Sequence, residues 1–154
     1  MAREQITVAQ LMDVRVRTLD LKTTTREVAR TMAKERTDCI VLVEGARPVG
    51  VITERDLVVK IMSDGFDPDK VLAQDIMSTA LVTVSPDDTM GEAARLMSEN
   101  KIRRLLVVDD ERRLVGIATA DDLAKVLAKG ADYKDLALNV MGRINETPRS
   151  GPYQ

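Results

Sequence analysis

Two stretches of the chain repeat the same functional residue types at the same spacing. They are Gly50-Val51-Ile52-Thr53-Glu54-Arg55-Asp56 and Gly116-Ile117-Ala118-Thr119-Ala120-Asp121-Asp122. A glycine allows another group to approach the backbone closely. A threonine at a helix start sets a hydroxyl beside the free N–H groups of the first turn, a combination that suits a phosphate. The aspartate three residues later offers a carboxylate able to accept from two neighbouring hydroxyls. The same spacing also has a purely structural reading. Thr-x-x-Asp resembles a capping box, in which threonine and acid satisfy backbone N–H groups reciprocally, and the glycine then only relieves crowding in a hairpin. The two roles can coexist on one residue.

The flanking charges differ between the stretches. Arg55 can reach phosphate oxygens with two parallel bonds, or stand solvated in a first helical turn. The equivalent position holds Asp121, which repels an anion. Arg103 and Arg104 offer a replacement cation, because adjacent strand residues face opposite ways and one of the two points to the motif side; otherwise they are a surface pair. Catalytic chemistry finds little footing. The chain contains no His and one cysteine, Cys39. Ser-His and Cys-His pairs and His-metal sites are thereby excluded within the chain. No nucleophile–base pair can be named, so no enzymatic activity, catalytic cofactor or metal is expected. Cys39 opens an apolar strand and reads as core.

The elements that must position these motifs are themselves duplicated. Met12 and Met77 lie 65 residues apart, as do Thr18 and Thr83, Glu27 and Glu92, and Met32 and Met97. After a hairpin the offset becomes 66, aligning Val49-Gly50-Val51 with Val115-Gly116-Ile117 and Asp56-Leu57 with Asp122-Leu123. In the first copy the pattern predicts a strand at 16–19, a helix at 24–35, strands at 40–44 and 49–52, and a helix from Thr53 to about Ser63. In the second it predicts a strand at 81–84, a helix begun by Asp87 or Asp88, strands at 105–108 and 114–118, and a helix from Thr119 to Lys129 closed by Gly130. Short helices are expected at 6–12 and 71–77, and a last one at 133–144. The order β-α-β-β-α, twice, predicts an α/β (α+β) fold whose helices lie against small mixed sheets. A unit of about 60 residues buries little alone, so the two sheets are expected to pack on each other. The domains read as 1–66, the first copy with its N-terminal segment; 67–130, the second with its linking helix; and 131–154, a C-terminal helix and flexible tail.

Composition bounds the partners. Hydrophobic residues make up 44% of 154, but aromatic ones only 2%, so the core is aliphatic. Scarce aromatic rings and a net charge of −2 argue against nucleic acid, which calls for stacking surfaces and excess positive charge. No apolar run approaches the roughly 20 residues that span a bilayer. With no disulfide possible within the chain, the expectation is a soluble, cytoplasmic protein without membrane contact.

The ordered marks Asp75-Ile76-Met77, Val82-Thr83-Val84-Ser85-Pro86, Arg104-Leu105-Leu106-Val107-Val108 and Arg113-Leu114-Val115-Gly116-Ile117 are matched by Leu11-Met12, Val28-Ala29-Arg30-Thr31-Met32 and Pro48-Val49-Gly50-Val51-Ile52-Thr53. Together they resemble the cystathionine-β-synthase (CBS) domain family, over roughly residues 6–130. The resemblance implies a tandem pair, or Bateman module, with pseudo-two-fold symmetry and clefts between the repeats. It implies AMP, ADP, ATP or S-adenosylmethionine as ligand, a regulatory role toward an unknown protein partner, and a homodimer. It places Thr53, Asp56, Thr119 and Asp122 on ribose and phosphate, with Arg55, Arg103 and Arg104 as phosphate-side cations. Thr18 and Thr83 fall near base or phosphate, and Asp38, Cys39 and Ile40 along the adenine pocket. The Arg55 contrast with Asp121 makes the first copy the expected stronger phosphate binder. For dimerisation, the apolar faces are Val58, Ile61 and Met62, and Leu123, Val126 and Leu127. The competing reading is a dimerisation scaffold with no physiological nucleotide.

Overall fold

The computed structural model describes residues 5–129; the stop at Gly130, the helix expected at 133–144 and the tail lie outside them. The elements are α1 (Val8–Leu11), β1 (Thr18–Asp20), α2 (Thr25–Glu35), β2 (Cys39–Glu44), β3 (Arg47–Thr53), α3 (Glu54–Leu57), α4 (Ala73–Ile76), β4 (Thr83–Val84), α5 (Met90–Asn100), β5 (Arg104–Val108), β6 (Leu114–Thr119) and α6 (Ala120–Ala128). They form two three-stranded sheets, β1-β2-β3 and β4-β5-β6, with β1 parallel to β2, β2 antiparallel to β3, and β4 parallel to β5. The fold is α+β and the β-α-β-β-α order occurs twice. No helix among the described residues is long and apolar enough to cross a membrane.

Helix α2 starts where the pattern put it, whereas α5 begins later than the acids at 87 and 88 imply. Thr24 and Thr89 are the N-caps, accepting from the backbone N–H of Glu27 and Glu92. Asp88 is spent inside the preceding turn, where its carboxylate accepts from the Ser85 N–H at 2.9 Å, while the Asp87 N–H donates to the Ser85 hydroxyl at 3.2 Å. Both helices end on a left-handed residue that is not glycine, Arg36 (φ 53°) and Lys101 (φ 55°). The closing bonds, Thr37 N–H to Met32 O and Ile102 N–H to Met97 O, form the wide turn that this conformation permits.

The spatial units are not the sequence halves. Residues 15–81 with 112–114 form one unit; the described parts of the other lie before residue 15, at 82–111 and from 115 onward. Val8 and Leu11 of α1 are buried with Val84, Met90, Met97 and Leu123 of the second copy. Ala73 and Ile76 of α4 are buried with Val28, Met32, Ile52 and Ile61 of the first. The docking bonds repeat as well. Val8 and Ala9 donate to Asp88 O and Pro86 O at 2.8 and 2.9 Å, and Ala73 and Gln74 to Thr23 O and Leu21 O at 2.7 and 3.0 Å. The grouping 1–66 and 67–130 therefore differs from the one the fold makes: the N-terminal helix serves the second copy and the linking helix the first. A four-residue helix does not hold alone and takes its stability from the apolar groove it fills.

The two copies also diverge in their last helix. In the second, α6 is regular and buries Leu123 and Leu127. In the first, α3 passes into a π-helical segment, Val58–Met62, where the Ser63 N–H reaches Val58 O at 2.8 Å. The wider turn buries Ile61 but leaves Val58, Val59 and Met62 exposed, with Phe66 beyond them. An apolar hollow of about 160 Å³ lies beside them, lined by Thr25, Ala29, Leu57, Val58, Ile61, Met62 and Pro68. Of the six residues expected on free apolar faces, only Val58 and Met62 are exposed; Leu123 and Leu127 belong to the core and Val126 packs against it.

Candidate functional site

Each motif sits at a corner where a hairpin strand runs directly into a helix. In the first copy β2 and β3 pair Leu42 with Gly50, Ile40 with Ile52 and Cys39 with Thr53. Thr53 ends β3 and caps α3. Its N–H and hydroxyl donate to Asp56 Oδ2 at 2.8 and 3.1 Å, and its Oγ1 accepts from the Asp56 N–H at 3.3 Å. In the second copy Thr119 and Asp122 make the same three bonds at 2.9, 2.9 and 3.1 Å. The capping reading of Thr-x-x-Asp is thus realised twice. Each carboxylate uses Oδ2 for the cap and keeps Oδ1 for something else. A further bond pins each corner to the strand opposite: Glu54 N–H to Asp38 O at 3.0 Å, and Ala120 N–H to Arg103 O at 2.9 Å.

The motif glycines are explained by neighbours within the fold. A Cβ on Gly50 would stand 2.3 Å from Met77 Sδ and 2.8 Å from Met77 Cγ. On Gly116 it would stand 2.7 Å from Met12 Sδ and 3.1 Å from both Met12 Cγ and Asp13 O. Methionines at corresponding positions, each carried by the docked short helix segment, fill the space that a side chain would need. The same segments add a two-bond bridge to each β-strand: Val51 with Ser78 (3.0 and 2.9 Å) and Asp13 with Ile117 (2.9 Å each way). The close approach that requires glycine is made by methionine, which fits the packing reading of these glycines.

Around the corners the charges are placed differently. Arg55 is exposed and pairs with no carboxylate among the described residues. Asp121, its counterpart, lies 4.0 Å from Arg103, both largely exposed. Sequence reasoning missed Lys60, whose Nζ is 3.2 Å from Asp56 Oδ1 and donates to Ile76 O at 2.8 Å. The 66-residue offset carried the signal, because it sets Lys60 against Val126 on an otherwise apolar helix face.

The CBS domain model matches the chain at residues 8–63 and again at 73–129. The chain belongs to the CBS-domain family. An uncharacterised protein of Methanopyrus kandleri is 46% identical over 101 residues, covering 65% of this chain and 52% of its own, so the chain spans about half the length of that relative. Among solved structures, the cytosolic domain of a Mg²⁺ channel in complex with ATP is 33% identical with a TM-score of 0.69, over 80% of this chain and 50% of that one. A CBS domain pair in complex with 5′-methylthioadenosine and S-adenosyl-L-methionine is 25% identical with a TM-score of 0.72, over 82% and 98% of the two chains.

Within each CBS repeat the remaining candidates fall into two groups. Asp38, Cys39, Thr53, Arg55 and Asp56 converge on one corner, as Arg103, Thr119, Asp121 and Asp122 do on the other. Thr18 and Thr83 are exposed on the first strands, paired with Val41 and Leu106 respectively. Arg104 is half-buried at the start of β5. Ile40 is 0% exposed in the first repeat's core and Cys39 is 7% exposed. At Ile40 the side chain is consumed by the core and the backbone is paired with Ile52 in the hairpin.

Proposed function

We propose that this CBS pair is a regulatory, non-catalytic sensor that binds an adenosine ligand (AMP, ADP, ATP or S-adenosylmethionine) at its Thr-x-x-Asp corners. The observation that carries the reading is the recurrence of one prearranged corner in both repeats. A threonine and an aspartate, already oriented by their mutual cap, stand at a helix start with one carboxylate oxygen uncommitted to the cap. A preorganised polar group loses little entropy on binding. The similar structures support an adenosine moiety in particular. ATP, 5′-methylthioadenosine and S-adenosyl-L-methionine differ at the 5′ substituent and share the nucleoside. Arg55, exposed at the first corner, suits a 5′ phosphate. Regulation, rather than turnover, follows from side chains that can hold a ligand but include no nucleophile–base pair. The exposed face of Val58, Val59, Met62 and Phe66 is the surface we assign to a homodimer contact.

The test is thermal unfolding with each of the four ligands. A ligand at about 100 times its Kd contributes about 2.7 kcal/mol if it binds only the folded form. For a chain of this size that is a rise of roughly 5–10 °C in Tm. At least one ligand should produce it, with the nucleotide recovered unchanged. No shift with any of the four at millimolar concentration defeats the sensor reading, and hydrolysis traceable to this chain defeats the non-catalytic one.

A further inference from the structure

The two motif carboxylates are not equally available. Asp56 is engaged at both oxygens: Oδ2 by the N–H and hydroxyl of Thr53, and Oδ1 by the ammonium of Lys60 at 3.2 Å. That ammonium is itself anchored, because it donates to Ile76 O, a carbonyl of the last turn of α4, at 2.8 Å. Helix-end carbonyls lack an intrahelical donor, so a lysine satisfying one is held in place rather than free to swing away. In the second repeat the corresponding residue is Val126, which packs against the core that includes Leu11 and Leu127. Asp122 Oδ2 carries the same cap as Asp56 Oδ2. Among the described residues no cation pairs with Asp122, so its Oδ1 keeps its lone pairs.

We infer that Lys60 is a specificity-determining residue that withdraws the first repeat's carboxylate from a ribose, leaving Asp122 of the second repeat to read the vicinal hydroxyls of an adenosine ligand. This rests on the nucleotide reading above. The chemistry is a competition between donors. A ribose presents two adjacent O–H groups, and a carboxylate serves them only through lone pairs that no other donor holds. At Asp56 Oδ1 one lone pair is left beside the anchored ammonium, so serving both hydroxyls of the diol there means displacing it; at Asp122 Oδ1 no donor among the described residues competes. The first corner, with Arg55 exposed and Lys60 beside it, favours an anionic group over a diol. The second, with Asp121 next to Asp122, favours the diol. The phosphate ranking that Arg55 gives is kept, while the ribose sites, which the shared motif alone leaves equal, are ranked with the second repeat first.

The experiment compares AMP with 2′,3′-dideoxy-AMP by calorimetric titration of the full chain, because the ratio of their affinities isolates the diol from the phosphate. In the wild type, one binding event should favour AMP over the dideoxy form by about tenfold or more, as befits bonds to a charged acceptor, and Asp122→Asn should remove that preference. Lys60→Met should raise the AMP preference of a second, weaker event by about fivefold, the upper worth of an exposed ion pair. Lys60→Gln, which removes the charge while keeping a donor for Ile76 O, should do the same. Adding Asp56→Asn to Lys60→Met removes the charged acceptor itself, so that double variant should lose the gained preference. A merely structural lysine would move both ligands equally and leave the ratio unchanged. An unchanged or lowered ratio in both Lys60 variants overturns the inference, as does a wild-type diol preference that survives Asp122→Asn. If AMP binds the wild type and only the ratio fails to move, the nucleotide reading stands and this inference falls. If neither ligand binds wild type or variants, both fall together.

Discussion

Replacing either motif glycine by alanine should destabilise the fold through a named methionine, and the damage should be reversible at that methionine in one repeat more than in the other. The added Cβ at position 50 meets Met77 at Sδ (2.3 Å), Cγ (2.8 Å) and Cβ (3.0 Å), all on one flexible side chain. Carbon and its neighbours make favourable contact near 3.5–4.0 Å, so the thioether must swing by about an ångström or more. At position 116 the Cβ meets Met12 Sδ at 2.7 Å but also Asp13 O at 3.1 Å. That carbonyl accepts from the Ile117 N–H at 2.9 Å and cannot retreat without losing the bridge. Overpacking of this kind costs about 1–3 kcal/mol. Gly50→Ala combined with Met77→Ala should therefore be more stable than the sum of the single variants predicts, by about 1 kcal/mol or more. Gly116→Ala with Met12→Ala should recover less, because the backbone clash remains. Urea denaturation of the six variants measures both cycles. Additivity in the Gly50–Met77 cycle would refute the assignment of that glycine to methionine contact, and equal recovery in both would refute the role given to Asp13 O.

Two further outcomes are expected. Arg36→Gly and Lys101→Gly should each stabilise the chain by about 0.5–1 kcal/mol, since φ near +55° strains any residue with a Cβ; a lower urea midpoint for both would contradict this. Sedimentation at micromolar concentration should give a dimer, and Met62→Glu, which sets a charge on a side chain 76% exposed, should give a folded monomer whose Tm no longer depends on protein concentration. A monomeric wild type would remove the dimer contact from that face.

Much of the architecture was legible because the duplicated pattern constrains it twice. Alternation and helical spacing placed every long element, and the Thr-x-x-Asp spacing foretold two capping boxes. The partner of each short helix was not legible. Val8 and Leu11 occur at the same spacing as Ala73 and Ile76, so either helix fits either groove by pattern alone. Tertiary connection decides, and local sequence carries no sign of it. The ends at Arg36 and Lys101 were silent for a related reason: without a glycine, a left-handed terminus looks like any polar residue. The π-helical turn at Val58–Met62 was hidden because its apolar residues fit an ordinary helix equally well. At the candidate site, residue types were read from the motif and the competing donor was not. Lys60 lies outside the motif and reaches Asp56 only through the fold.

The pattern of what the repeats share and what they exchange says where any functional difference between them must lie. The bond that closes each corner is repeated, from Glu54 N–H to Asp38 O and from Ala120 N–H to Arg103 O. Yet the side chains around that bond have traded signs: Asp38 and Arg55 in the first repeat, Arg103 and Asp121 in the second. Exchanges of this kind at exposed positions cost the fold little, typically within 0.5 kcal/mol, and the Arg103–Asp121 pair at 4.0 Å adds little back. The glycine–methionine contacts and threonine–aspartate caps have no such freedom, because each is fixed by close contact or by three hydrogen bonds. Duplication therefore preserved the corner and released its surroundings. A ligand that tells the repeats apart has only those surroundings to read, and among the described residues outside the motifs Lys60 alone pairs directly with a motif carboxylate. Ribose selectivity should therefore follow position 60, while the net charge at 38, 55, 103 and 121 tunes the response to phosphate.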